Sequence, residues 1–156
     1  MRIFELLWWA FTFILIGLIV GPVYLNLPEF PYIIPNMVAI AVAVTFTRYV
    51  FLLQVSWLNK RYVWMALMVF AAIPICFYVG QYLNYFTTTL DNEGPDIWVK
   101  DMPLDRGKAF MNYLETEYYL FGVWAILAGI VMPFRFIYQI WKDHIKKQGV
   151  RGGVGG

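Results

Sequence analysis

Reactive side chains are scarce in this sequence. Among its 156 residues there is one cysteine, Cys76, and one histidine, His144. A lone cysteine excludes an intrachain disulfide and a dithiol redox pair. The same inventory cannot by itself build a bis-histidine haem, an iron–sulfur cluster or a four-ligand zinc site. Ser56 is the one serine, and no spanning histidine stands ready to activate it. Neither a histidine nor a carboxylate falls in the middle of an apolar run, which speaks against a self-contained proton carrier. Charge is sparse as well: 14% of residues are charged and the net charge is +2, too little to attract nucleic acid. These absences lead to the expectation of no catalytic residue, no bound cofactor and no metal ligand set.

What the chain has in abundance is apolar surface. Hydrophobic residues make up 61% of it and aromatic residues 20%, and the mean hydropathy is +0.60. That composition belongs to an integral membrane protein. A helix rising 1.5 Å per residue needs about 20 apolar residues to cross a hydrocarbon core of about 30 Å. Four runs reach that length, at about 6–25, 33–58, 63–85 and 117–141. The expected fold is therefore all-α, with four transmembrane helices.

The first run is too long for a signal-peptide core, and no small-residue cleavage site follows it, so it reads as a retained span. The second is longer than the core requires, so it must tilt or protrude. Pro35 suits its first turn. Pro74 and Pro133 interrupt the backbone bonding of the third and fourth runs. Tryptophans near the run ends, including Trp8, Trp9, Trp57, Trp64 and Trp141, fit interfacial belts.

Basic residues give an orientation. Arg2, the Asn59-Lys60-Arg61 turn and the tail from Lys142 to Arg151 should all face the cytoplasm. Both termini then lie inside. The acidic segment 86–116, with Asp91, Glu93, Asp96, Asp101, Asp105 and Glu115, lies outside, and Glu117 stands just beyond it. Asp105 is placed to cap a helix leading from Arg106 into the fourth span. The segment lacks the ordered ligand alternation of a calcium loop and reads as a solvated negative surface. The glycine-rich tail 142–156 should be disordered on its own.

Small residues recur at helical spacing and mark seams where another helix can approach closely. Gly17 and Gly21 lie on the first run, Ala39 and Ala43 on the second, Ala72 and Gly80 on the third, Gly122 and Gly129 on the fourth. Cys76 falls on the third of these stripes and reads as a small packing residue.

The residues with a chemical question attached are Glu5, Arg48 and Arg135. Counted from the outer helix ends, both arginines lie about 22–24 Å down, in the inner third of the bilayer. Charges there are costly and usually have a reason. Arg135 reads as snorkelling towards the inner headgroups. For Arg48 the expectation is an ion pair with Glu5, the one acidic residue near that depth, with Arg135 competing for it.

By subtraction, the chain reads as a non-catalytic accessory or structural subunit of a larger inner-membrane complex. Such a host is an ion-driven motor or energy-coupling machine, a respiratory complex or a secretion machine. Its partners would be other integral membrane subunits, membrane lipid and an extracytoplasmic protein docked on 86–116, with no nucleic acid. A membrane sensor or input domain and a small oligomeric transporter are the alternatives. The expected location is the bacterial cytoplasmic membrane.

Overall fold

The computed structural model describes residues 2–58 and 61–152, with the side chains of residues 2, 96 and 147–152 excepted. Four helices account for most of it: α1 (Arg2–Asn26), α2 (Ile33–Leu52), α3 (Tyr62–Glu93) and α4 (Leu104–Gly152). A 3-10 turn, Pro95–Trp98, sits between α3 and α4, and no strand occurs among the described residues. All four helices are long and apolar enough to cross a membrane. Their outward faces are strongly apolar: Leu25 is 81% exposed, Phe77 76% and Phe51 74%. A surface of that kind suits lipid, because apolar side chains pointing outward carry no penalty there.

Helix ends follow local chemistry. Past Asn26 the chain meets Pro28 and Pro31, which cannot extend a helix. In the last turn of α1 the Asn26 side-chain amide donates to the Pro22 carbonyl at 2.7 Å. At the far end of α3, Gly94 takes a φ of +82°, a conformation that favours glycine, and its N–H closes back on the Leu90 carbonyl at 3.0 Å.

Several boundaries differ from those read in the sequence. The second run was expected to stay helical to residue 58, but α2 stops at Leu52. There the chain turns, with Ser56 N–H shared between the carbonyls of Leu52 and Leu53 at 3.2 Å each. The turn lets Leu53 and Leu58 bury completely, which a straight helix running out of the bundle would not. α3 outlasts its apolar run and continues to Glu93 through Thr87, Thr88 and Thr89, whose hydroxyls donate to carbonyls four residues back at 2.8–2.9 Å. α4 begins at Leu104, so Asp105 occupies the first turn instead of capping it. That still sets a negative charge beside the positive end of the helix. At its other end α4 continues to Gly152, where a disordered tail was expected; residues 153–156 and the Asn59-Lys60 part of the basic turn lie outside the described residues.

The core is stacked in three layers along the bundle. One contains Val23, Phe30, Phe86, Leu114 and Tyr118. The middle layer sets Ala39, Ile40 and Ala43 of α2 against Phe121 and Ala125 of α4, with Val20 and Val79 beside them. The third gathers Phe46, Tyr49, Leu53, Leu58, Met65, Met132 and Phe136. α2 is the most enclosed helix and α1 the least.

Candidate functional site

Polar side chains buried between the helices form two groups, one at each end of the bundle. The first is centred on Arg48, one turn before the end of α2. Its side chain is fully buried, and Nη2 forms an ion pair with Glu5 Oε1 from the first turn of α1. Glu5 Oε1 also accepts the backbone N–H of Trp57 at 3.1 Å. The carboxylate thereby ties α1 to both α2 and the connection that follows it. Three aromatic rings surround the guanidinium, with centroids 5.7 Å away for Phe4, 5.8 Å for Trp8 and 5.5 Å for Tyr49. Ring faces attract a desolvated cation, so they offset part of the cost of burying it. Among the described residues, Arg48 Nε and Nη1 have no hydrogen-bond partner.

Arg135 takes a separate position. Its Nε donates to the Val50 carbonyl at 3.0 Å, in the last turn of α2 where backbone carbonyls lose their helical partners. Both arginines therefore sit at the negative end of the α2 dipole. From Arg135 a polar ladder climbs α4 in steps of four residues. Arg135 Nη1 donates to Gln139 at 3.5 Å, and Gln139 donates to Asp143 at 3.3 Å. Asp143 also accepts from the Tyr62 hydroxyl at 3.2 Å, which brings in the start of α3. Every helix thus contributes to the polar ties at this end. Of the three charges singled out in the sequence, the structure joins Glu5 to Arg48 and gives Arg135 other partners.

The second group is a pair at the opposite end. Asn36, in the first turn of α2, donates its side-chain N–H to Glu117 Oε1 of α4 at 2.5 Å. Asn36 is 0% exposed and Glu117 5%. Among the described residues, neither Asn36 Oδ1 nor Glu117 Oε2 has a hydrogen-bond partner. Sequence reading overlooks this pair, because it puts Glu117 at the outer edge of the fourth span, just beyond the acidic connector, and assigns it no partner. The connector's Asp91, Glu93, Asp101 and Asp105 are all exposed, whereas Glu117 points into the bundle. One signal was available: Glu117 is separated by four residues from Phe121 and by three from Leu114, so helical spacing sets it on α4's buried face.

Small residues divide into two sets. On α4, a Cβ added to Gly122 would lie 3.1 Å from Leu83, and one added to Gly129 would collide with Cys76 Sγ and come within 3.3 Å of Phe46. Ala39, Ala43 and Ala72 are buried in the core, and Gly80 faces Ile126 at 3.8 Å. Gly17 and Gly21 on α1 differ: a Cβ on either would meet nothing within 4 Å. Between α3 and α4 lies an apolar groove of about 680 Å³, walled by Ala72, Cys76, Gly80, Ile126, Gly129 and Pro133. Among the described residues, no three His, Cys, Asp or Glu side chains gather where they would hold a metal ion.

Comparison with protein-family models, curated proteins and solved structures finds no match for the chain.

Proposed function

We propose that the chain is a non-catalytic subunit of a larger complex in the bacterial cytoplasmic membrane, packing against other membrane-spanning subunits. The observation that carries this reading is the Gly17–Gly21 face of α1, where an added Cβ would meet nothing within 4 Å among the described residues. Without a hydrophobic driving force between helices in lipid, such faces gain by letting backbones approach. The charged residues near the membrane are taken up in tying the helices to one another, which suits a scaffold. In the proposed orientation both termini face the cytoplasm, the acidic connector is an outer docking surface, and the basic end of α4 meets anionic lipid or a cytoplasmic subunit. Hosts of this kind are an ion-driven motor or energy-coupling machine, a respiratory complex or a secretion machine. Purification from native membrane in a gentle detergent tests the reading. Stoichiometric co-purification of other membrane subunits, lost on Gly17→Leu or Gly21→Leu, is expected; a partnerless chain would sink it.

A second reading, a small oligomeric transporter, draws support from the buried Asn36–Glu117 pair. Substrate-dependent flux by the chain alone in liposomes would favour it over the first.

A further inference from the structure

A carboxylic acid and a primary amide are complementary groups. The acid O–H donates to the amide carbonyl oxygen, while the amide N–H donates to the other oxygen of the acid. Asn36 and Glu117 already make the second of these bonds. The atoms left over, Asn36 Oδ1 and Glu117 Oε2, are the two that the first bond would use, and both are buried without a partner among the described residues. As an ionised pair they leave a carboxylate oxygen and an amide oxygen stranded away from water, and each stranded acceptor is costly, the charged one more so. One proton on Oε2 satisfies both at once.

No charge nearby offers a substitute. The titratable groups that act electrostatically with Glu117 are Tyr113 and Tyr118 on its own helix. Tyr118 in turn interacts with Tyr32, just before α2, and with Tyr78 and Tyr82 of α3, while the Tyr113 hydroxyl donates to the Ile19 carbonyl of α1 at 2.7 Å. Among the described residues the carboxylate has no ion-pair partner. The geometry points to a proton-binding site: Glu117 is a carboxylic acid closed against Asn36 by two hydrogen bonds, joining α4 to α2. Loss of that proton sets an unpaired negative charge in the joint and loosens it.

Glu117→Gln is the informative variant, because glutamine supplies the N–H that completes both bonds without a proton. The full chain is reconstituted in lipid nanodiscs and its infrared spectrum recorded near neutral pH in H2O and D2O. A protonated-carboxyl C=O band is expected in the wild type, shifting in D2O, lost in Glu117→Gln and displaced in Asn36→Leu. Thermal unfolding of the wild type should lose midpoint temperature as pH rises above neutral, while Glu117→Gln holds its midpoint over the same range. The absence of any band that Glu117→Gln removes overturns the assignment. So does a Glu117→Gln chain that fails to fold or melts as low as Glu117→Ala. A wild-type midpoint that follows sodium concentration but not pH would overturn it in favour of a bound cation.

Discussion

Arg48 holds its charge where its side chain reaches no solvent, and among the described residues Glu5 is the carboxylate paired with it. Replacing a whole buried pair with apolar groups is often neutral, whereas removing one partner strands the other. Glu5→Gln is therefore expected to destabilise the chain by about 3–5 kcal/mol, the usual cost of breaking a buried pair. The double variant Glu5→Leu with Arg48→Met should recover most of that loss. Thermal unfolding of single and double variants in one detergent measures both, and a double variant no better than Glu5→Gln would refute the account. Arg135 should behave differently, since it caps the Val50 carbonyl and holds no buried carboxylate. Arg135→Leu is expected to cost about 1.5–3 kcal/mol, the range for a hydrogen bond to a charged group. The same melts should rank it below Glu5→Gln. These two arginines look alike in sequence, each an isolated charge at similar depth. Their partners depend on which neighbouring helix faces them, and the local pattern does not carry that information.

At the scale of the helix, small residues set how closely backbones approach, and a stripe matters only where another helix faces it. Gly129 of α4 is pressed against Cys76 and Phe46, so Gly129→Ala overpacks the joint. A loss of about 1–3 kcal/mol is expected, as for other extra methyl groups in a filled core. Adding Cys76→Gly, which removes the colliding sulfur, should relieve it. Gly17→Ala and Gly21→Ala meet open space, and alanine is the better helix former by about 0.5–1 kcal/mol. Both should leave the isolated chain as stable as before or more so. Melting the four variants side by side checks the contrast, and equal losses at Gly17 and Gly129 would contradict it. Apolar run length and small-residue spacing were legible in the sequence, and so were the four helices. The end of α2 was not, because hydropathy cannot distinguish a helix from a buried turn when Leu53 and Leu58 are apolar in both. Glu117 was missed for a related reason: it stands at the very start of the fourth apolar run, beside the acidic connector, while helical phase, measured from Leu114 and Phe121, turns it inward.

Across the whole molecule, most polar ties between helices lie towards the ends, Trp124 donating to Thr47 at 2.9 Å between them, and small residues line the middle. One end is fastened by Glu5, Arg48, Arg135 and Asp143, the other by Asn36 with Glu117 and by Arg106 donating to Asn26 at 3.0 Å. The contacts from Glu5 to Trp57 and from Tyr62 to Asp143 bring the start of α1, the α2–α3 connection and the last turns of α4 together at one end. Arg61, Lys142 and Lys146 therefore belong to that end, while the exposed Asp91, Glu93, Asp101 and Asp105 lie on the connector at the other. An excess of Lys and Arg is retained on the cytoplasmic side during insertion, and acidic residues contribute little to orientation. The proposed topology thus rests on three basic positions that the fold itself has brought together. It predicts that, in a Cys76→Ala background, Lys146→Cys is labelled by a membrane-impermeant thiol reagent only when inverted membrane vesicles or broken cells are used. Glu93→Cys, exposed on the connector, should be labelled in intact spheroplasts. α4 makes the test decisive: its 49 residues span about 74 Å at 1.5 Å per residue, well beyond a core of about 30 Å, so its charged end clears the lipid on whichever side it emerges. Labelling of both positions from the same side would break the four-crossing arrangement, and the reversed pattern would invert it.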